Sequence, residues 1–480
     1  MATENVKSRD LTQGKLLPKI ILFSLPLMAT GILQMAFNAA DVVVVGRWGG
    51  STPEECENAL AAVGSCAALI NLIVNFFIGL SVGSSVCAAQ SIGAKHYDKV
   101  QQVVHTSILT ALVAGILLAI AGMGLSRPLL ALMGTPAEIL DQASLYMCAY
   151  FAGAPASMIY NYAASILRSD GDTKNPLIFL SIAGVVNVLF NLVMVLVFHM
   201  GAIGVGIATA ASQWVSCILV ILHMMRQEGY CRLELRRLRI HRHTFYKMLL
   251  IGIPAGIQGM VFSFSNVLVQ SSINRFGKVV VAAYTACNNI CNFIYMAQNS
   301  FYHAALTFVG QNVGAHRYER IRRVILLCIA CALVVGLTLG IGCAVFAKPL
   351  LGIYMPDNTE GLHYGTVFLS CVASTYFLCG VMEVGCGLLR GLGKSFTSTV
   401  TSILGACGVR VVWLLSVFAY FFPILPYEQS LFILGLSYPI SWTITAVAYF
   451  ILAAIALKKR KASDTAFLEA ECTDAFAESK

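Results

Sequence analysis

About twelve apolar stretches, each long enough to cross a bilayer, leave this chain almost no soluble way to fold. They lie near 19–46, 58–92, 99–125, 139–165, 175–198, 202–225, 245–272, 279–312, 321–346, 362–389, 395–421 and 429–457. A spanning helix needs roughly 20 apolar residues, and the longer stretches allow for tilt or for extension past the interface. Composition agrees. Of 480 residues, 58% are hydrophobic and 11% charged, and the mean hydropathy is +0.77. A soluble domain carries about a quarter charged residues, because water must wet its surface. Pro26, Pro155 and Pro254 fall inside the runs, where neighbouring helices must re-satisfy the carbonyls they free. The expected fold class is an all-α integral membrane protein with about twelve transmembrane helices.

The net charge of +9 is a statement about topology. Arg410 lies within a span. Of the other 31 Lys and Arg, 26 fall in the N-terminal segment, the even-numbered loops and the C-terminal tail; Arg47, Arg127, Arg275, Lys278 and Lys348 fall in the odd-numbered loops. The positive-inside rule then places both termini in the cytoplasm of a multi-pass plasma-membrane protein. The basic faces attract anionic lipid head groups, and no nucleic-acid partner is expected. The 16 cysteines sit mostly in apolar runs, where a thiol packs as a small hydrophobe. Cys328 and Cys331 form an isolated CxxC without a second pair or a nearby histidine, so no metal site is expected there. The N-terminus lacks a cleavable signal pattern.

The two halves repeat. Lys19, Pro26, Gly31, Asn38 and Arg47 recur, all at one constant offset, as Lys247, Pro254, Gly259, Asn266 and Arg275. QSIGAKHY at 90–97 matches QNVGAHRY at 311–318, and Arg168 and Gly171 match Arg390 and Gly393. Six spans per half make these parallel repeats, a transporter architecture that alternates access by rocking. The expected organisation is a cytoplasmic segment at 1–18, a six-helix bundle at 19–225, a cytoplasmic interfacial linker at 226–244, a second six-helix bundle at 245–457 and a polar cytoplasmic tail at 458–480. The tail after Lys461 reads as disordered. Glycine pairs at i and i+4 (Gly79 and Gly83, Gly252 and Gly256, Gly336 and Gly340) read as close helix packing.

Acidic residues inside a bilayer are costly and point to function. Of 23 Asp and Glu, two lie well inside a span: Asp41 in the first and Glu383 in the tenth. At about 1.5 Å per residue, Asp41 lies about 9 Å and Thr209 about 10 Å below the outer interface. Asn191 lies about 24 Å up from the inner face, which brings it to a similar level, with Asn187 one turn deeper. Such a convergence suits a proton or cation site, with Asp41 as the group able to gain and lose a proton. Alternatively, Asn187, Asn191 and Thr209 hydrogen-bond across helices as packing. Glu383 and Arg410 lie at different depths and are not expected to pair; for Arg410 a structural partner and a functional role both stand. The absence of an ATP-binding P-loop, an HExxH or a DDxxD-like acid cluster in the sequence argues against a primary pump and against a metal-dependent membrane enzyme.

These features resemble the MATE (multidrug and toxic compound extrusion) transporters. The resemblance rests on NAADVVVVGR at 38–47, ALAAVG at 59–64, QSIGA and QNVGA after spans two and eight, LRSDGDTKNP at 167–176 and LLRGLGKS at 388–395. It covers roughly residues 15–457. It implies paired six-helix bundles that export organic cations in exchange for protons or sodium ions. The match is closer to the DinF-like than the NorM-like branch: Asp41, Asn187 and Thr209 fit its first-helix Asp, fifth-helix Asn and sixth-helix Thr. Asn191 stands where a second Asp belongs, and residues 258–270 carry no acid where the NorM-like branch has a Glu. With one acid in the first half, sodium has less charge to coordinate, and the proton is the expected coupling ion.

The expected protein is thus a prokaryotic, monomeric secondary antiporter, not an enzyme, that needs no cofactor and no metal other than sodium as the alternative coupling ion. Asp41 carries the proton with Asn187, Asn191, Thr209 and Glu383 as coupling residues. Protonation remodels the first span near Pro26, and Gln34, Asn38, Asn266 and Gln270 line the path of the cation. The alternative is a lipid-linked saccharide flippase of the same architecture, which would be expected to carry several basic residues in its cavity.

Overall fold

The computed structural model describes residues 10–50, 52–356 and 358–478, with side chains as far as residue 462. Residues 1–9 of the expected N-terminal segment and 479–480 of the tail lie outside the described residues. The described elements are helices: α1 Leu16–Trp48, α2 Pro53–Gly93, α3 Tyr97–Leu132, α4 Ala137–Ala152, α5 Ala154–Ser169, α6 Lys174–Val197, α7 Gly201–Arg226, α8 Arg242–Asn274, α9 Lys278–Gly314, α10 Tyr318–Val345, α11 Ala347–Gly352, α12 Thr359–Ser374, α13 Tyr376–Gly391, α14 Ser395–Phe421 and α15 Tyr427–Glu478. Ten of these are long and apolar enough to cross a membrane.

The other two expected spans are broken helices. The stretch at 362–389 is α12 and α13, bent by 41° at Thr375. The hydroxyl of Thr375 donates to the carbonyls of Cys371 and Val372 at 3.0 Å, a back-bond that bends helices. The stretch at 139–165 divides at Gly153, and Pro155, which has no N–H to offer a preceding turn, opens α5. Gly153 and Thr375 stand at the same offset that relates Arg168 to Arg390. Each repeat therefore breaks its fourth span at the same place by a different device.

The chain forms two compact units, Met1–Val267 and Leu268–Lys480. In the first, α1 packs on α6, α6 on α7, and α5 on α3. The first part of α8 also belongs here, because glycines let it approach α2 backbone to backbone. A Cβ on Gly83 would collide with the Met248 carbonyl oxygen, and one on Gly256 would meet the Phe76 carbonyl oxygen at 2.6 Å. The packing boundary thus falls within α8 rather than in the linker. In the second unit α13 packs against α9, α10 and α15, and Gly340 lets α10 press on the Ala373 carbonyl, where a Cβ would not fit.

The connection after α7 is partly docked. Cys231 and Leu233 are buried while Leu235 and Ile240 stay exposed. The Glu234 N–H donates to His105 Nε2 at 3.2 Å and the His241 N–H to Thr106 Oγ1 at 3.2 Å. Tyr230 donates to Asp170 Oδ1 at 2.6 Å and stacks on Tyr97. The tail departs from expectation: α15 continues to Glu478 instead of fraying at Lys461. Residues 462–478 hold five Ala and three Glu, residues that lose little freedom in a helix.

Candidate functional site

Asp41 lies two turns before the end of α1, on the face that meets α6. Asn187 and Asn191 are one turn apart on α6, so both amides point the same way. Asn191 is wholly buried, Asn187 nearly so, and Asp41 and Thr209 are half-buried.

The four residues form one hydrogen-bonded chain. Asn191 Nδ2 donates to Asp41 Oδ1 at 2.5 Å and to Asn187 Oδ1 at 3.3 Å. Asn187 Nδ2 donates to Thr209 Oγ1 at 3.4 Å, and the Thr209 hydroxyl donates to the Val205 carbonyl at 2.9 Å. Both amide hydrogens of Asn191 are thereby used, which fixes its orientation and holds the Asp41 carboxyl against α6. One buried oxygen of the chain, Asn191 Oδ1, accepts nothing. With the Asp41 carboxyl it supplies the oxygens that a proton or a small hard cation would use. Immediately beyond Asn191, α6 winds as a π turn over Val193–Val197, a local loosening common at functional sites. Tyr146 and Tyr150 on α4 lie within electrostatic reach of Asp41.

The remaining sequence candidates do not join this chain. Glu383, half-buried on α13, belongs to the second unit, within electrostatic reach of Tyr295 and Arg390. Arg390 donates to Tyr302 Oη at 2.6 Å. Gln34 and Asn38 are exposed on α1 and Asn266 is exposed on α8; Gln270 donates to Asn274. Pro26 lies within an otherwise continuous α1, where Thr30 Oγ1 donates to its carbonyl at 2.7 Å. Cys328 is buried, and no metal-holding group of His, Cys, Asp and Glu occurs among the described residues.

A second polar cluster escaped sequence reasoning. Arg410, 3% exposed, lies 4.2 Å above the Tyr438 ring and 3.5 Å from Ser441 Oγ. Tyr438 Oη is 3.3 Å from Tyr284 Oη, and the Tyr438 ring abuts Trp442. The available signal was Tyr438, Ser441 and Trp442 at i, i+3 and i+4 on one face of the last span.

Comparison with known proteins follows this geometry. The MatE family profile matches residues 26–193 and 254–414. The chain is 28% identical to Probable multidrug resistance protein YoeA of Bacillus subtilis over 412 residues, covering 84% of this chain and 88% of the relative. It is 23% identical to the FAD transporter of Shewanella oneidensis over 397 residues, covering 80% and 84%. Among solved structures, an outward-facing multidrug resistance MATE family transporter of the MOP superfamily matches with a TM-score of 0.85 at 20% identity, covering 95% of this chain and 99% of that one.

Proposed function

The chain belongs to the MatE family, and from that premise we propose that it is a secondary active antiporter that exports organic cations in exchange for protons by alternating access. The relative named as a multidrug resistance protein supports drug export. The observation that carries the coupling reading is the hydrogen-bonded chain that ends on Asp41, a carboxylate two turns inside α1. The basic-residue asymmetry supports a cytoplasmic location for both termini, and the bacterial relatives support a prokaryotic cell membrane.

In the proposed cycle, charged Asp41 accepts from Asn191 and balances a bound cation. Proton uptake from outside removes that charge and with it the electrostatic reason for the cation to stay. Asn191 Oδ1, otherwise unpartnered, is placed to receive the new O–H by a small rotation of either side chain. The response passes along α1, where Pro26 leaves the Leu22 carbonyl without its usual partner one turn on and makes the helix easiest to bend. Loss of the proton to the cytoplasm resets the site. A lipid-linked saccharide is a poorer cargo, because Arg410 is the one Lys or Arg well inside a span and a pyrophosphate asks for several.

The deciding measurement is ethidium flux into proteoliposomes of the purified full chain, with proton and sodium gradients imposed separately. Flux driven by the proton gradient alone is expected. Flux driven only by sodium would reassign the ion, and no flux with either gradient across a panel of cations would remove the exporter reading.

A further inference from the structure

Arg410 is a permanent charge in the interior of the second unit, yet no carboxylate lies within ion-pair distance of it among the described residues. Its neighbours are neutral: the Tyr438 ring beneath the guanidinium, and Ser441 Oγ at 3.5 Å. The Ser441 hydroxyl is already spent on the Tyr438 carbonyl at 2.9 Å. Arg410 Nε is buried without a hydrogen-bond partner. A buried charge left in this state is strongly unfavourable, since ring and hydroxyl replace only part of the lost hydration.

The repeat shows what is missing. In the first unit α6 meets α1 at Asp41. At the offset that relates Asn38 to Asn266, the equivalent of Asp41 is Val269, which has no charge to give. Tyr284 and Tyr438 share one hydrogen bond at 3.3 Å, which leaves one phenol O–H free beside the guanidinium. The helix is wound as π turns on both sides of Arg410, at Ile403–Val409 and Leu414–Phe418, and Tyr438 is only half-buried. A cation with a free N–H, a free phenol donor and a half-open side together make a receptor for one negative charge.

We infer that Arg410, Tyr438 and Tyr284 form a binding site for a monovalent anion, either an inorganic halide or the carboxylate of an organic solute. This goes beyond the export reading and does not rest on it, because binding is read without transport. One carboxylate or halide would accept from Arg410 Nε and the free tyrosine hydroxyl, and its charge would complete the pair that the helices leave open.

The test is thermal unfolding of the purified full chain in detergent, followed by intrinsic fluorescence. Sodium gluconate is replaced stepwise by sodium chloride at constant ionic strength, and in a second arm by sodium benzoate. A ligand bound to the folded state raises the midpoint in a saturable way. A saturable rise of several degrees is expected, in the chloride arm for a halide site and in the benzoate arm for a carboxylate site. Arg410→Lys is expected to need several-fold more anion, and Arg410→Gln to show no saturable rise. Equal midpoints in the three salts, or an undiminished rise in folded Arg410→Gln, would overturn the assignment. Should Arg410→Gln fail to fold, the double variant Tyr284→Phe, Tyr438→Phe keeps both rings and deletes both hydroxyls; a several-fold higher half-saturating concentration is expected, and an unchanged one would overturn the site.

Discussion

The fifth span of each repeat frames a buried charge, and the two charges are opposite. Asn187 and Asn191 of α6 bracket the position that corresponds, at the offset relating Arg168 to Arg390, to Arg410 of α14. In the first unit an acid on α1 ends a chain of two amides and a hydroxyl; in the second a base lies over a phenol that itself touches a second phenol on α9 and an indole on α15. Both spans also contain π turns next to these groups. Duplication has kept the helix packing and the local loosening while the buried charge has changed sign. What the spans share is a frame that tolerates a polar interior, and what differs is the ion each frame suits. The sharpest way to break this comparison is Asp41→Asn, which keeps the shape and removes the titrating group. Proton-driven ethidium flux in proteoliposomes is expected to fall at least about tenfold, the consequence of roughly 1.4 kcal/mol at the rate-limiting step. Full retained coupling in that variant would take Asp41 out of the mechanism.

The first of these clusters was legible in the sequence because depth along a helix is simple arithmetic. Counting the helical rise of about 1.5 Å per residue placed Asp41, Asn187, Asn191 and Thr209 at neighbouring levels, and parallel spans do the rest. The twelve apolar stretches and the offset series were equally open to reading. Rotation about each helix axis was not. Nothing local says that Tyr438 turns its ring under Arg410 or that Tyr295 comes within reach of Glu383, since those contacts join different helices through tertiary packing. The breaks at Gly153 and Thr375 were hidden for another reason: each lies inside an apolar run, and hydropathy does not register a hydroxyl bonded back to the preceding turn. The docked linker was obscured in the same way, because its alternation of Leu and Ile with Arg suits a lipid surface as well as it suits packing of Leu233 against protein.

A smaller effect separates the clusters by the kind of force that holds them. In the second unit an aromatic face takes the place that amides hold in the first. Tyr438→Leu, measured by unfolding in gluconate, is expected to cost about 2 kcal/mol, the scale of a desolvated cation–π contact. Tyr438→Phe keeps the ring under the guanidinium and is expected to cost about 1 kcal/mol or less, the net value of one hydrogen bond. Equal losses from the two variants would show that the hydroxyl, not the ring, supports Arg410, and the contrast between the units would then be one of charge alone.

The smallest expected effect concerns the turns that follow the broken spans. Asp170 after α5 corresponds to Leu392 after α13, again at the offset relating Arg168 to Arg390. Each is held by the chain that leaves the sixth span of its own repeat. Tyr230 donates to the Asp170 carboxylate at 2.6 Å, whereas Arg460 donates to the Leu392 carbonyl at 3.0 Å. The latch recurs with the same direction of donation, but the charge sits on the acceptor in the first repeat and on the donor in the second. Tyr230→Phe removes a bond to a buried carboxylate and is expected to cost roughly 1.5 kcal/mol. Arg460→Gln removes a cation at a helix C-terminus and is expected to cost about 0.5 kcal/mol. The two also differ in pH dependence. Burial first, and then the Asp170 charge, hold the Tyr230 hydroxyl well above the usual phenol range. Its contribution is therefore complete below the unfolded phenol value of about 10 and declines as pH rises beyond it. Thermal unfolding at pH 8 and pH 10.5 should show the wild type losing part of its margin over Tyr230→Phe at the higher pH, while its margin over Arg460→Gln stays level. A Tyr230→Phe margin that does not shrink at alkaline pH would mean that ring stacking on Tyr97, which the variant keeps, carries the latch instead of the hydroxyl.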